Sequence, residues 1–203
     1  MLARGTIRPH GSPAARQHFT DKACRPFRRV FLREQLSSFI ERFPRNTIFL
    51  LLFEWTDINF RVINETRNVL DDKVLVKGTD CVSSRIFSIQ YEMAQGNAHS
   101  TKAAFERALK SDVCKSSVAL WIGYVRFVYS QKQWLRQPAR DALYRGLKNC
   151  PWSKSLLMEA FGTLVRDMKP DELLSVYREM TSKGMRVHVD MEDYMAQTAE
   201  RRA

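Results

Sequence analysis

The chain has 203 residues, is 44% hydrophobic and 27% charged, and carries a formal net charge of +11. Such a length and apolar content support a folded domain with its own core and exclude a wholly disordered chain. The longest unbroken apolar run, Ile48 to Phe53, falls far short of the roughly 18–20 residues a spanning helix needs, so no membrane span is predicted.

The positive charge is concentrated at the start. Residues 1–33 hold eight Lys/Arg against one acid, Asp21, whereas the other 170 residues hold 25 against 21. A polycationic arm on a nearly balanced body is the reading. Residues 1–20 contain Arg4, Arg8 and Arg16, no acid, and prolines at 9 and 13. An Arg-rich, acid-free start is the pattern of a mitochondrial presequence, but Pro9, Gly11 and Pro13 would break its amphipathic helix. Residues 1–24 are therefore expected to be a basic, disordered leader or the residue of an incomplete gene model.

From Phe27 to Phe43 the apolar residues follow helical spacing until Pro44 stops them, as in the second helix of a hairpin whose first helix is missing. Asn46 is placed to cap the next helix. There Ile48, Leu52 and Trp55 make one row, and Phe49, Phe53 and Phe60 another. A helix apolar on so many sides is expected to be buried between neighbours. Val62, Ile63, Thr66, Val69, Leu70 and Val74 continue as its partner, closed by Lys77-Gly78. The next pair begins at Ser83/Ser84, carries Ile86, Ile89 and Met93 beside Phe87, Tyr91 and Ala94, and breaks at Gly96-Asn97. Ser100 is expected to cap the following helix, with Ala104, Phe105, Ala108 and Leu109 inward and Lys102–Glu106 as an exposed pair. Residues 116–130 place Trp121, Val125 and Val128 on one row and Leu120, Tyr124 and Phe127 on another, and Pro138 opens the helix ARDALYRGLK.

Within 139–184, Leu156, Ala160 and Leu164 with Leu157, Phe161 and Val165 mark one buried stripe of a helix from Ser153 to Arg166, capped by Ser153. Pro170 suits the first turn of the last helix, and Asp171 and Glu172 suit its positive end. Leu173, Val176, Tyr177 and Met180 carry its stripe, and Lys183-Gly184 stops it. First helices start near residues 46, 83, 116 and 152, in steps of 37, 33 and 36. Strand signals are scarce: no Asn-Gly or Asp-Gly turn occurs, and the one alternating run, Met185 to Val189, is short. The predicted fold is all-α, a right-handed solenoid of antiparallel helical hairpins over residues 25–184, about four units and an orphan helix. Residues 185–203 are expected to cap the last repeat, or alternatively to form a docking strip.

The wording of the repeats carries a resemblance. Trp121-x-x-Tyr124-x-x-Phe127, followed by Ala139-Arg140-x-x-Leu143-Tyr144-Arg145-x-Leu147 and Pro151, resembles the half-a-TPR (HAT) repeat. Ala104-Phe105-Glu106-Arg107-Ala108-Leu109 matches its second helix again. The repeat-defining positions are Phe105, Trp121, Tyr124, Tyr144, Pro151 and Trp152, with large rings on first helices facing small Ala and Gly on second helices. Asn149-Cys150-Pro151-Trp152-Ser153-Lys154, then Lys183-Gly184-Met185-Arg186-Val187 and an acidic finish, narrow the resemblance over residues 115–194. They are similar to the C-terminal HAT-repeat region of the nuclear RNAi-defective (NRDE, "necessary for RNA interference") family. The resemblance implies a nuclear, non-enzymatic scaffold with RNA-processing or silencing proteins as partners, an exosome-associated RNA helicase among them. Family members are much longer, and their low-complexity region that engages the helicase has no counterpart in these 203 residues.

No catalytic constellation emerges from the residues themselves. Gly123, Gly146 and Gly162 lie inside helices, where close packing of a neighbour is expected. His10, His18, His99 and His188 are scattered, and Asp71-Asp72 and Asp171-Glu172 read as solvated helix ends. Cys24, Cys81, Cys114 and Cys150 lack zinc-ligand spacing; the last three, 33 and 36 residues apart, follow the repeat and read as reduced. No metal, cofactor or small-molecule substrate is predicted. Lys22, Arg25, Arg28, Arg29 and Arg33 are the candidate RNA-phosphate ligands, with a solvated helix face as the alternative. Trp55, Trp121 and Trp152 are expected in the core, while Trp134, Arg186 and His188 are the candidate partner contacts.

Overall fold

A computed structural model of the protein describes residues 25–60, 64–76, 78–131 and 137–185, with side chains from residue 30 onward except that of residue 60. Every regular element among them is helical, so the chain is all-α. It divides into two compact units between Val74 and Leu75.

The first unit comprises α1 (Arg25–Arg42), α2 (Thr47–Phe60) and α3 (Glu65–Val69), the last running into a π-helical turn, Leu70–Val74. Pro44 cannot continue α1, and the Asn46 side chain accepts the Ile48 N–H at 3.0 Å where α2 begins. Leu36 and Ile40 of α1, Leu50 and Phe53 of α2, and Leu70 and Val74 of the π-helical turn are the buried apolar side chains among the described residues of this unit. Phe39 stacks on Phe49 with centroids 5.3 Å apart, and Phe43 lies 6.2 Å from the same ring. α3 starts after Asn64, whose φ of 67° is the left-handed region that asparagine tolerates.

The second unit comprises α4 (Val82–Ala94), α5 (Ala98–Lys110), α6 (Val118–Ser130), α7 (Gln137–Asn149), α8 (Lys154–Gly162) and α9 (Pro170–Ser182). α4 packs on α5, α6 on α7 and α8 on α9; α5 also packs on α6, and α8 on both α6 and α7. One continuous core runs from Ile89 to Met180. First helices of successive pairs start at Thr47, Val82, Val118 and Lys154, which are 35, 36 and 36 residues apart. The spacing is more even than the predicted starts because the caps lie elsewhere. Cys81 and Ser84 cap α4 reciprocally through side chain and backbone. Asn97, not Ser100, caps α5, its Oδ1 accepting from the His99 and Ser100 N–H groups at 3.0 and 3.2 Å.

Ser153 caps α8 through Leu156 N–H, as its position predicts. That helix ends at Gly162 rather than Arg166, because the N–H groups of Thr163 and Leu164 both turn back to the Glu159 carbonyl. Leu164, Val165 and Met168 stay buried, so the apolar stripe outlasts the helix. At α9, Pro170 occupies the first turn and Glu172 accepts the Lys169 N–H at 2.9 Å. Gly184, at φ 67°, closes it: Gly184 N–H bonds to Thr181 O and Met185 N–H to Met180 O, a Schellman stop.

Ring-against-small packing is direct at the centre of this unit. A Cβ on Gly146 of α7 would meet Leu156 at 3.1 Å and the Trp121 ring at 3.2 Å. Phe105 of α5 lies 5.3 Å from the Tyr124 ring and 5.4 Å from that of Phe127. Gly162 departs from the expectation: at the open end of α8, a Cβ there would meet nothing within 4 Å.

Candidate interaction surfaces

Arg33 is not held out toward a phosphate. Its guanidinium pairs with Asp57 and Glu65, donates to Thr56 Oγ1 at 3.2 Å and lies 4.6 Å from the centre of the Phe53 ring. The other Asp57 oxygen accepts the Thr66 N–H at 2.8 Å and the Thr66 hydroxyl. Arg33 is therefore a clamp joining α1, α2 and α3, which corrects its reading as an RNA ligand. The available signal was Asp57, one of two acids, with Glu54, inside a largely apolar helix. Arg25, Arg28 and Arg29 lie on the first two turns of α1, while their side chains, and the whole of Lys22, fall outside the described residues.

α2 does not sit between neighbours on all sides. Leu50, Phe53, Thr56 and Asp57 are buried, but Ile48, Leu51, Leu52, Trp55 and Ile58 are between 45 and 70% exposed. At 100° per residue these five fall within an arc of about 120°, with Asn59 as the polar residue among them. Trp55 is thus a surface residue, not a core one. Phe39 and Phe43 of α1 are also exposed, and both lie against Phe49 at the seam between the helices. Contiguous apolar surface of this kind marks an interaction site. Glu54 borders it, one turn from Leu51 and one from Ile58. Burial, and then the charge of Asp57, push its carboxyl above the usual range. No described residue gives Glu54 a hydrogen bond or an opposite charge.

In the second unit, charged side chains tie successive helix pairs together. Glu106 of α5 accepts from the Tyr124 hydroxyl and pairs with both terminal nitrogens of Arg145 of α7, each at 2.9 Å. Arg145 also lies 5.6 Å from the centre of the Trp121 ring. The bond from Arg145 chiefly holds the Glu106 carboxyl below its ordinary range, with the Tyr124 hydroxyl and the charges of Arg145 and Lys102 acting in the same direction, so Glu106 reaches across helices as well as along its own. Burial and Glu106 push the Tyr124 phenol far up. Arg126 meets buried Glu159 at 2.5 and 3.1 Å, Arg140 meets Glu172 at 3.1 Å, and Asp80 holds both Arg85 and Ser111. Partners 31 to 39 residues apart in sequence make all of these links but Tyr124–Glu106 and Arg85–Asp80, which is why no local pattern announced them.

Of the repeat-defining residues, Phe105, Trp121 and Tyr124 are core, and the Trp121 indole N–H donates to Lys115 O at 2.8 Å. Tyr144 is half-exposed, and Pro151 and Trp152 are exposed. Trp152 precedes the cap of α8 and so lies outside the helix, which corrects its assignment to the core. Trp134, Arg186 and His188 lie outside the described residues. Cys81, Cys114 and Cys150 are free thiols; burial raises the last two above the ordinary range. Among the described residues no cluster of His, Cys, Asp and Glu could hold a metal ion, and no helix is long and apolar enough to cross a membrane.

Fold and surface together define an all-α protein of helix pairs that exposes apolar side chains on α1 and, as one row, on α2. The chain is similar to the nuclear exosome regulator NRDE2 of Mus musculus, at 25% identity over 184 residues, an alignment taking in 80% of this chain and 15% of the mouse protein. It is similar to the nuclear exosome regulator NRDE2 of Homo sapiens at 24% identity over 184 residues, with the same coverage. The chain therefore spans about 15% of the length of the curated relatives it matches. No family model matches it, and no solved structure does.

Proposed function

We propose that the chain is a non-enzymatic protein-interaction scaffold of nuclear RNA surveillance or silencing. It acts through the surface of a right-handed solenoid of HAT-like hairpins over residues 25–184, flanked by a basic leader and a capping tail. The observation that carries this reading is similarity over 80% of the chain to proteins named as nuclear exosome regulators. Helix starts 35 or 36 residues apart and the Trp121–Gly146 contact support the repeat assignment. Its partners are nuclear RNA-processing or silencing proteins, an exosome-associated RNA helicase among the candidates. Proximity labelling by the full chain in intact cells should mark nuclear RNA-processing proteins. Labelling confined to the cytoplasm, or a nuclear set without such proteins, would sink the reading.

A second reading, direct RNA binding, is favoured by the eight-to-one excess of basic residues in 1–33. With Arg33 engaged by carboxylates, it rests on Lys22, Arg25, Arg28 and Arg29. Phosphate-driven binding makes log K fall with log salt by about 0.7 per contact on a single strand. Reversing Arg25, Arg28 and Arg29 to Glu should flatten that slope, and salt-independent or undetectable binding removes the reading.

A further inference from the structure

We propose that the outer face of α2 is a docking site for one amphipathic α-helix of a partner protein, which sets a Lys or Arg beside Glu54. The inference rests on the scaffold reading and names the face and the chemistry of what it takes.

Ile48, Leu51, Leu52, Trp55 and Ile58 follow the i, i+3, i+4, i+7 and i+10 spacing of a helix-in-groove anchor row, spanning roughly 15 Å. α6 shows what such a helix looks like when its surroundings are complete. It is as apolar as α2, yet Leu120, Trp121, Tyr124, Val125, Phe127 and Val128 are all buried, covered by helices on more than one side. Within the first unit the described elements that pack on α2 are chiefly α1 and α3, and the outer row is left exposed along a length that suits another helix.

Charge identifies which helix. Glu54 stands on the rim of the row, partly withdrawn from water and without a cation among the described residues. α2 itself contains no Lys or Arg. A second copy packed antiparallel on this face would bring the two Glu54 carboxylates to the same edge of the seam, close to the two-fold axis, where they repel. A helix lying on an anionic membrane surface flanks its apolar face with Lys and Arg, whereas this one is bordered by Glu54 and carries neither cation. A partner helix with an apolar row and a flanking cation satisfies both the row and the carboxylate.

The test uses the full chain and two designed helical peptides with the same leucine row, one flanked by Lys and the other by Glu, titrated by anisotropy. The Lys peptide should bind about fivefold more tightly, the scale of a partly exposed ion pair. Glu54→Gln should remove most of that preference. Leu51→Asp with Ile58→Asp should abolish binding of both peptides while leaving the urea midpoint in place, since both residues are exposed. Failure of both peptides to bind, or equal binding indifferent to Glu54→Gln, overturns the proposal. So does self-association or capture on phosphatidylserine vesicles that Ile58→Asp abolishes, because either names a different occupant. If the peptides fail while nuclear proximity labelling succeeds, the face is wrong and the scaffold stands; the converse result separates them the other way.

Discussion

α2 and α6 are nearly equal in length and in apolar content, but they end in different surroundings. In α6 both apolar rows are covered, and even the Trp121 indole nitrogen has a carbonyl to donate to. In α2 one row is covered and the other meets solvent, so Trp55 is 55% exposed where Trp121 is 1% exposed. Burying a large apolar side chain contributes about 1.5–3 kcal/mol, a gain α2 forgoes at five positions. Periodicity shows how many faces of a helix can be buried. It does not show how many neighbours are present to bury them.

Truncating the two tryptophans breaks this comparison most sharply. Trp121→Ala should cost about 3–5 kcal/mol in urea unfolding, through lost transfer energy and a cavity against Gly146. Trp55→Ala should change stability by no more than about 0.5 kcal/mol. Equal losses would mean that Trp55 is covered after all. Asp57→Ala follows, at about 3 kcal/mol or more, because it strands the Arg33 guanidinium and the Thr66 donors in a site where Arg33 is 11% and Asp57 6% exposed. The covered side of α2 is thus held by a polar clamp as much as by apolar contact, whereas the buried rows of α6 are held by rings and aliphatic groups.

A pair of glycines sharpens the same point within the second unit. Gly146→Ala places a methyl 3.1 Å from Leu156 and 3.2 Å from Trp121, and should cost about 1–3 kcal/mol. Gly162→Ala meets nothing and should stabilise by about 0.5 kcal/mol through the reduced freedom of the unfolded chain. Thermal melts of the two variants should therefore shift in opposite directions.

What could be read from the sequence follows from range. The helices from Phe27 onward, the stops at Pro44, Gly96 and Gly184, and the cap at Ser153 are set by residues within one or two turns, and they were legible. The core roles of Phe105, Trp121 and Tyr124 were legible too, because their spacing repeats. The exposure of Trp55 and Trp152 was not, since both depend on whether another segment arrives. Nor were the Arg33–Asp57–Glu65 clamp and the Glu106–Arg145, Arg126–Glu159 and Arg140–Glu172 pairs, whose partners lie 24 to 39 residues apart. An arginine on a basic helix reads as a ligand for phosphate until the carboxylate that claims it is seen in space.

The smallest effect separates the two units by the sign of a titration. Arg145 and Tyr124 favour the ionised form of Glu106, so its folded-state pKa is lowered. Its contribution is present above the unfolded value of about 4.3 and is lost as the pH falls through the folded one. Glu54 runs the other way. Burial and Asp57 raise its pKa, so ionisation costs stability above the folded value, and that cost disappears as the pH falls toward the unfolded one. Relative to the parent protein, Glu106→Gln should therefore lose up to about 1 kcal/mol at neutral pH and nothing at low pH. Glu54→Gln should instead gain a few tenths of a kcal/mol at neutral pH, again converging in acid. Urea midpoints of the three proteins between pH 3 and 7 check both signs. If Glu54→Gln destabilises at neutral pH, the carboxylate already has a cation within the chain, and α2 has no unmet charge to offer a partner.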